Sequence, residues 1–141
     1  MTAALVVDDE PAILRLVAMV LRELGCETLT ATDAETATQI LKSTTPDLIV
    51  SDVRLPGMSG VEFAQQVKSS RKTRKTPVLL MSAYSEPKAH QGDAFFPKPF
   101  DIIELEEIIS RYIPANGKAR SENGEAGLSQ GPYSQQKPDR Q

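Results

Sequence analysis

A short apolar run in this chain ends abruptly in an acid: Leu48-Ile49-Val50-Ser51-Asp52. Pro46 precedes the run and Pro56-Gly57 follows it, and its unbroken apolar character indicates a strand buried on both faces. An acid at the end of such a strand lies at the carboxyl edge of the sheet, where open α/β sheets bind their ligands. The run therefore favours a parallel sheet with a site at that edge.

A second acidic feature repeats this arrangement, because Leu5-Val6-Val7 leads directly into Asp8-Asp9. Two parallel strands that end in this way bring three carboxylates together. Unpaired carboxylates repel one another, so such a cluster calls for a hard divalent cation with oxygen ligands. The sequence therefore predicts a Mg²⁺ site formed by Asp8, Asp9 and Asp52.

The rest of the chain alternates between strand and helix patterns. Strands are predicted at 4–7, 27–30, 48–52, 77–82 and 94–97. The first helix begins near Pro11 and ends before Gly25, and Asp33, Ser59 and Asp101 stand at the starts of the next three. The last helix is expected to bury Ile102, Leu105, Ile108 and Ile109. This alternation predicts βαβ units with right-handed crossovers and a parallel sheet.

The connection between the fourth and fifth strands departs from this pattern. It has only eleven residues, 83–93, which include Pro87 and Gly92 and no apolar stripe. Because a parallel crossover usually needs a dozen residues or more, this one is expected to hold at most about a turn of helix. Its lone histidine, His90, is expected to be solvated rather than a ligand.

Composition excludes several classes of protein. The net charge of −3 gives no indication of a nucleic-acid or membrane partner, and the single cysteine, Cys26, excludes an internal disulfide. No signal peptide or transmembrane run is present, so a cytoplasmic location is expected.

Residues 1–113 are predicted to form one domain, and residues 114–141 a disordered polar tail. The basic stretch 69–76 is interpreted as a solvated connection.

The predicted carboxyl edge collects five polar side chains, those of Asp8, Asp9, Asp52, Ser82 and Lys98. Each has an ordinary explanation alone, as a helix cap, a turn residue or a solvated cation. Together they suit phosphoryl transfer onto a carboxylate, with Asp52 as the nucleophile. Asp8 and Asp9 would hold the cation, while Lys98 and Ser82 would contact the transferred oxygens.

The sequence resembles the receiver domain of two-component response regulators over roughly residues 4–113. The resemblance rests on four motifs: Val6-Val7-Asp8-Asp9-Glu10-Pro11, Ser51-Asp52 followed by Leu55-Pro56-Gly57-Met58-Ser59-Gly60, Pro77-Val78 through Met81-Ser82-Ala83, and Lys98-Pro99-Phe100. It implies an α/β, flavodoxin-like, doubly wound five-stranded parallel sheet of order 2-1-3-4-5. It also implies a Mg²⁺-dependent phosphoaspartate at Asp52 and a cis peptide before Pro99.

The same resemblance assigns further roles. The main-chain carbonyl of Arg54 would be another metal contact, and Ser82 and Phe95 would form the switch pair. Arg54 and Tyr84 would flank the pocket and slow hydrolysis of the phosphoaspartate. Compared with the family, this chain lacks about half a dozen residues between Ser82 and Lys98, which puts the usual surface of the fourth helix in doubt.

The implied function is a single-domain response regulator: a phosphoacceptor signalling domain rather than an enzyme. A sensor histidine kinase or a phosphotransfer protein would be the donor, and an unidentified downstream protein would read the switch. No DNA-binding domain is evident, and the sequence leaves a homodimer open. One alternative is a phosphorylation-independent binding module that acts through the altered fourth crossover.

The sequence favours two other functional hypotheses less, one for an enzyme and one for a cofactor-binding protein. An aspartyl-phosphate phosphohydrolase normally carries a second acid two residues after its nucleophile, and here that residue is Arg54. A flavin-binding protein would need a phosphate-binding loop rich in Gly, Ser and Thr after the first strand, and this chain has none there.

Overall fold

The computed structural model describes residues 2–113, so the predicted polar tail lies outside the described residues. The elements in chain order are β1 Ala3–Val7, α1 Pro11–Glu23, β2 Glu27–Ala31, α2 Ala34–Ser43, β3 Leu48–Asp52, α3 Gly60–Ser69, β4 Val78–Ser82, β5 Ala94–Pro97 and α4 Ile102–Ser110. No helix within residues 2–113 has the length and apolar character needed to cross a membrane.

The five strands form one parallel sheet in the order β2-β1-β3-β4-β5. The predicted flavodoxin-like fold is therefore confirmed. The pairing aligns Val7 with Ser51, Asp52 with Met81, and Ser82 with Pro97. Because these strand ends are level with one another, the residues that follow them share one edge of the sheet.

Side chains alternate along each strand between two separate cores, as the pleat of a buried parallel sheet requires. The core on the α1 and α4 side includes Ala4, Val6, Leu48, Val50, Leu79, Met81, Phe96, Leu105 and Ile109. The core on the α2 and α3 side includes Leu5, Val7, Ile49, Phe63, Ala64, Val67, Val78 and Leu80. Both faces of the sheet are thus buried under helices, and a functional site can form only at an edge of the sheet, such as its carboxyl edge.

The predicted helix ends are confirmed by local hydrogen bonds. Asp33 accepts the Thr36 N–H, and Asp101 forms a reciprocal capping box with Glu104 at the start of α4. Gly25 has a φ of +95° just beyond α1, a conformation that glycine adopts without steric cost.

The connection between β4 and β5 contains no helix at all, which agrees with its short and polar sequence. It lies directly on the sheet, because a Cβ atom added at Gly92 would be 3.0 Å from Leu80 Cδ1. Its last residue, Asp93, forms a 2.8 Å salt bridge with Lys68 of α3. The Asp93 carboxylate also accepts the Val78 N–H at 2.8 Å, so the loop is tied to the start of β4.

Two predictions about individual side chains are wrong. His90 is not solvated: its side chain is only 11% exposed, and Nε2 lies 2.7 Å from Glu86 Oε2. Its Nδ1 accepts the Gly92 N–H, so the ring organises the loop that replaces a helix. Ile102 is 41% exposed and belongs to neither core, whereas Leu105 and Ile109 of the same helix are fully buried.

Candidate functional site

Four chain segments deliver polar side chains to the carboxyl edge of the sheet. Asp8 follows β1, Asp52 is the last residue of β3, Ser82 is the last residue of β4, and Lys98 follows β5. Asp8, Asp52 and Ser82 are all buried. The predicted gathering of these residues at one edge is therefore seen in the structure.

Lys98 is the centre of this cluster, and its side chain is only 8% exposed. Its Nζ lies 3.1 Å from Asp8 Oδ2, 3.5 Å from Asp52 Oδ2 and 2.7 Å from Glu10 Oε1. The peptide bond that follows Lys98 is cis, as the resemblance implies. One ammonium thus faces three carboxylates, and the net charge of this group of side chains is negative.

One carboxylate oxygen of Asp8 is placed so that it could bind a cation. Its Oδ1 accepts the Glu10 N–H at 2.8 Å, whereas Oδ2 is buried and has no hydrogen-bond partner among the described residues. Lys98 is near this oxygen but does not form a well-directed hydrogen bond with it. A buried and unsatisfied carboxylate oxygen is costly in isolation and well suited to a hard cation.

The acids that could hold such a cation together are Asp8, Glu10 and Asp52, with candidate ligand atoms within 4.8 Å of one another. An all-oxygen donor set fits Mg²⁺. Asp9 is exposed and lies outside this group of three, so its predicted role as a ligand stays a prediction. Glu10 was not predicted as a site residue, although it is the last of three consecutive acids that follow a strand, and that run is the signal that could have identified it.

Burial controls the ionisation of the cluster. It raises the pKa of Asp52 to about 6, with the nearby charge of Asp8 adding to the shift and Lys98 opposing it. Burial also raises the pKa of Asp8, against the Glu10 N–H and Lys98. For Lys98 burial acts in the opposite direction, but the carboxylates of Glu10, Asp8 and Asp52 outweigh it and raise its pKa. Lys98 is therefore a cation throughout the neutral pH range.

Ser82 presents a hydroxyl beside the acids. Its Oγ accepts the Tyr84 N–H at 3.0 Å, which uses one lone pair and leaves the O–H group as a donor. Phe95 is half-buried against the core on the α2 and α3 side. The assignment of Ser82 and Phe95 as a switch pair remains a prediction.

The two predicted flanking residues contact each other. The Arg54 guanidinium lies 4.3 Å from the centroid of the Tyr84 ring, in the geometry of a cation–π interaction. Arg54 comes two residues after Asp52, and Tyr84 two residues after Ser82. Because β3 and β4 are neighbours, this contact joins the two loops beside the acids.

Gly60 packs against the backbone of Asp52, and this contact was not predicted from the sequence. A Cβ atom at this position would be 2.0 Å from the Asp52 carbonyl oxygen and 2.9 Å from Val53 Cα. The first residue of α3 therefore packs directly on the backbone of the phosphoacceptor candidate. The signal available in the sequence was a glycine at the first position of a helix, where another residue type would favour helix formation.

The sequence matches the family described as response regulator receiver domain over residues 4–110. It is 32% identical over 116 residues to the Sporulation initiation phosphotransferase F of Bacillus subtilis, an alignment that covers 78% of this chain and 92% of that protein. It is 35% identical over 114 residues to the DNA-binding transcriptional regulator NtrC of Escherichia coli, which covers 77% of this chain. That alignment spans only 24% of NtrC.

Solved structures share the fold over most of the chain. The response regulator TrrA of Thermotoga maritima, in complex with Mg²⁺ and BeF, has a TM-score of 0.72 and 34% identity, and the match covers 79% of this chain and 99% of TrrA. The chemotaxis response regulator CheY4 of Vibrio cholerae has a TM-score of 0.73 and 30% identity, and the match covers 79% of this chain and 98% of CheY4.

Proposed function

Because this chain belongs to the family of response regulator receiver domains, we propose that it is a phosphorylation switch in which Asp52 accepts a phosphoryl group. The observation that carries the proposal is the position of Asp52, buried at the end of β3 and 3.5 Å from Lys98, which is itself held in the cluster of acids. The proposed donor is a sensor histidine kinase or a phosphotransfer protein, as the resemblance implies.

The proposed reaction is an in-line displacement at phosphorus. An Asp52 carboxylate oxygen forms a bond to phosphorus while the phosphorus–nitrogen bond of a donor phosphohistidine breaks, and the leaving imidazole takes up a proton. Lys98 and the Ser82 hydroxyl contact two of the transferred oxygens. Mg²⁺, held by Asp8 and Asp52 and by the predicted ligands Asp9 and the Arg54 carbonyl, would supply the charge that neutralises these oxygens.

The similar proteins support this chemistry. TrrA was solved with Mg²⁺ and BeF, and the Bacillus subtilis relative, which this chain nearly spans, is named a phosphotransferase. For the present chain we propose that phosphorylation of Asp52 changes its affinity for another protein. Only a small difference in free energy between two conformations is needed for such a switch.

A second candidate is favoured by the connection between β4 and β5, which holds no helix. The chain would then be a binding module that uses this loop and does not depend on phosphorylation. The two candidates differ in one property, namely whether Asp52 becomes modified.

The test is intact-mass spectrometry after incubation with acetyl phosphate and Mg²⁺. We expect the mass of one phosphoryl group to be added to the wild type, and none to Asp52→Asn or to wild type treated with EDTA. Phosphorylation by a donor histidine kinase is the second arm, for a site that rejects acetyl phosphate. No added mass in either arm, together with no binding of Mg²⁺ by calorimetry, would favour the binding module.

A further inference from the structure

The shortest contact of Lys98 is not with the proposed phosphoacceptor. Its Nζ lies 2.7 Å from Glu10 Oε1 and 3.5 Å from Asp52 Oδ2. A lysine ammonium that pairs with a phosphoryl group on Asp52 must turn its donors toward Asp52. In the present structure its best hydrogen bond is made to Glu10 instead.

This contact crosses the carboxyl edge of the sheet. Glu10 follows β1 and Lys98 follows β5, and β3 and β4 lie between these strands. The bond between the two side chains therefore joins the loops on either side of Asp52 and Ser82. The Lys98 side chain is 8% exposed and that of Glu10 is 60% exposed, so Glu10 can move into water without disturbing the core.

Glu10 also has an alternative position in which its negative charge is stabilised, near the start of α1. It occupies the N-cap position of α1, yet its side chain makes no capping hydrogen bond. The free amides and the dipole at the start of a helix attract a carboxylate. Glu10 can leave Lys98 and remain near the start of α1, where its negative charge is still favourable.

We propose that Glu10 is a positioning residue that holds Lys98 in the unphosphorylated state and competes with the phosphoryl group for it. This inference rests on the proposed function of Asp52. Phosphorylation raises the negative charge at Asp52, and Lys98 then exchanges Glu10 for a phosphoryl oxygen. The energy needed to break the contact between Lys98 and Glu10 reduces the stability of the phosphorylated conformation.

The test is a double-mutant cycle with fluoroberyllate as the probe, at saturating Mg²⁺, followed by amide NMR. Glu10→Gln should tighten fluoroberyllate binding by about 3- to 5-fold. In the Lys98→Ala background the same substitution should change the affinity by less than about twofold. Glu23→Gln, which removes a charge at the far end of α1, is the matched control and should change neither.

A general electrostatic effect of Glu10 on the anion would give equal changes in both backgrounds, and this result would overturn the proposal. So would an unchanged affinity in Glu10→Gln, or a weaker one, which would indicate that Glu10 is a metal ligand.

A second readout does not depend on phosphorylation. In protein labelled with ¹⁵N-lysine, the Lys98 ammonium signal is assigned by its loss in Lys98→Ala. Its hydrogens should exchange with water faster in Glu10→Gln than in the wild type. If no variant binds fluoroberyllate, the proposed function of Asp52 fails, and an ammonium exchange rate that is unchanged in Glu10→Gln would separately overturn the role of Glu10.

Discussion

Arg54 and Tyr84 are exposed side chains, yet they contact each other beside the proposed phosphoacceptor. Each is two residues beyond the end of a neighbouring strand, so the contact joins two loops that would otherwise be independent. A guanidinium packed on an aromatic ring has fewer accessible conformations than a free arginine side chain. We therefore expect this pair to limit the access of water to a phosphoryl group on Asp52.

Arg54→Asn should consequently speed the loss of phosphate from Asp52. An exposed cation–π contact is worth about 0.5–1 kcal/mol, which corresponds to roughly a two- to fivefold faster rate. The measurement is the decay of phosphorylated protein after the donor is removed, followed by intact mass. Arg22→Asn, at the other end of the molecule, serves as the control. A decay rate that is the same in Arg54→Asn and the wild type would exclude shielding by this pair.

At the level of secondary-structure elements, the position of Asp52 depends on the close packing of α3 against β3. Gly60 makes this packing possible, since a Cβ atom there would be only 2.0 Å from the Asp52 carbonyl oxygen. The capping box between Ser59 and Glu62 fixes the first turn of the helix at the same point. The start of α3 and the end of β3 therefore cannot move independently.

Gly60→Ala should displace α3 or distort the end of β3. We expect a loss of about 2–4 kcal/mol in the free energy of unfolding, together with slower phosphorylation, because the clash is with backbone atoms. Urea unfolding and the intact-mass assay measure the two effects. Gly25→Ala is the matched comparison. Gly25 has a positive φ, but a Cβ atom added there would meet no atom within 4 Å, so the cost should be about 1 kcal/mol, from conformation alone. Equal costs at the two positions would contradict the packing argument.

The elements that the sequence predicted well are those determined by local chemistry. Asp33, Ser59 and Asp101 cap their helices because each side chain needs only an amide of its own first turn. The gathering of Asp8, Asp52, Ser82 and Lys98 followed equally directly from the strand ends of a parallel sheet.

The features that were missed depend on contacts between distant parts of the fold. Glu10 meets Lys98 only after the sheet is assembled, and Gly60 is required by a neighbouring backbone. The partial burial of His90 depends on how the connection between β4 and β5 folds onto the sheet. Ile102 follows the apolar spacing of α4, but the buried residues of this helix are Leu105 and Ile109, which lie beyond its first residues. Apolar periodicity predicts which face of a helix is buried, but it does not predict how many turns of that face the rest of the fold covers.

At the scale of the whole molecule, the cluster of acids opposes folding when no cation is present. The pKa of Asp52 is raised to about 6 by burial and by Asp8, from an ordinary value of 3.8. The native state therefore binds this proton more tightly than the unfolded state does. The destabilisation is fully present above about pH 6, decreases as the pH falls from 6 to 4, and is absent below about pH 4.

Asp52→Asn should thus stabilise the metal-free protein by about 1–3 kcal/mol at pH 8 and have little effect near pH 4. The measurement is urea unfolding in EDTA at both pH values. Glu27→Gln removes an exposed acid of β2 and should show no such dependence on pH. A variant that is less stable than the wild type at pH 8 would show that the attraction between Lys98 and Asp52 outweighs the cost of burial.

The absence of a helix between β4 and β5 also affects how the chain reaches its native state. The paired residues of β4 and β5 are closer in sequence than those of any other strand pair in the sheet. The loss of chain entropy on closing a loop grows with the length of the loop, so this pairing is the least costly of the four to begin. More local contacts lower the contact order, which correlates with faster folding in small domains. A helical crossover would add about half a dozen residues to this separation, so the loss of the helix makes the most local pairing of the sheet more local still.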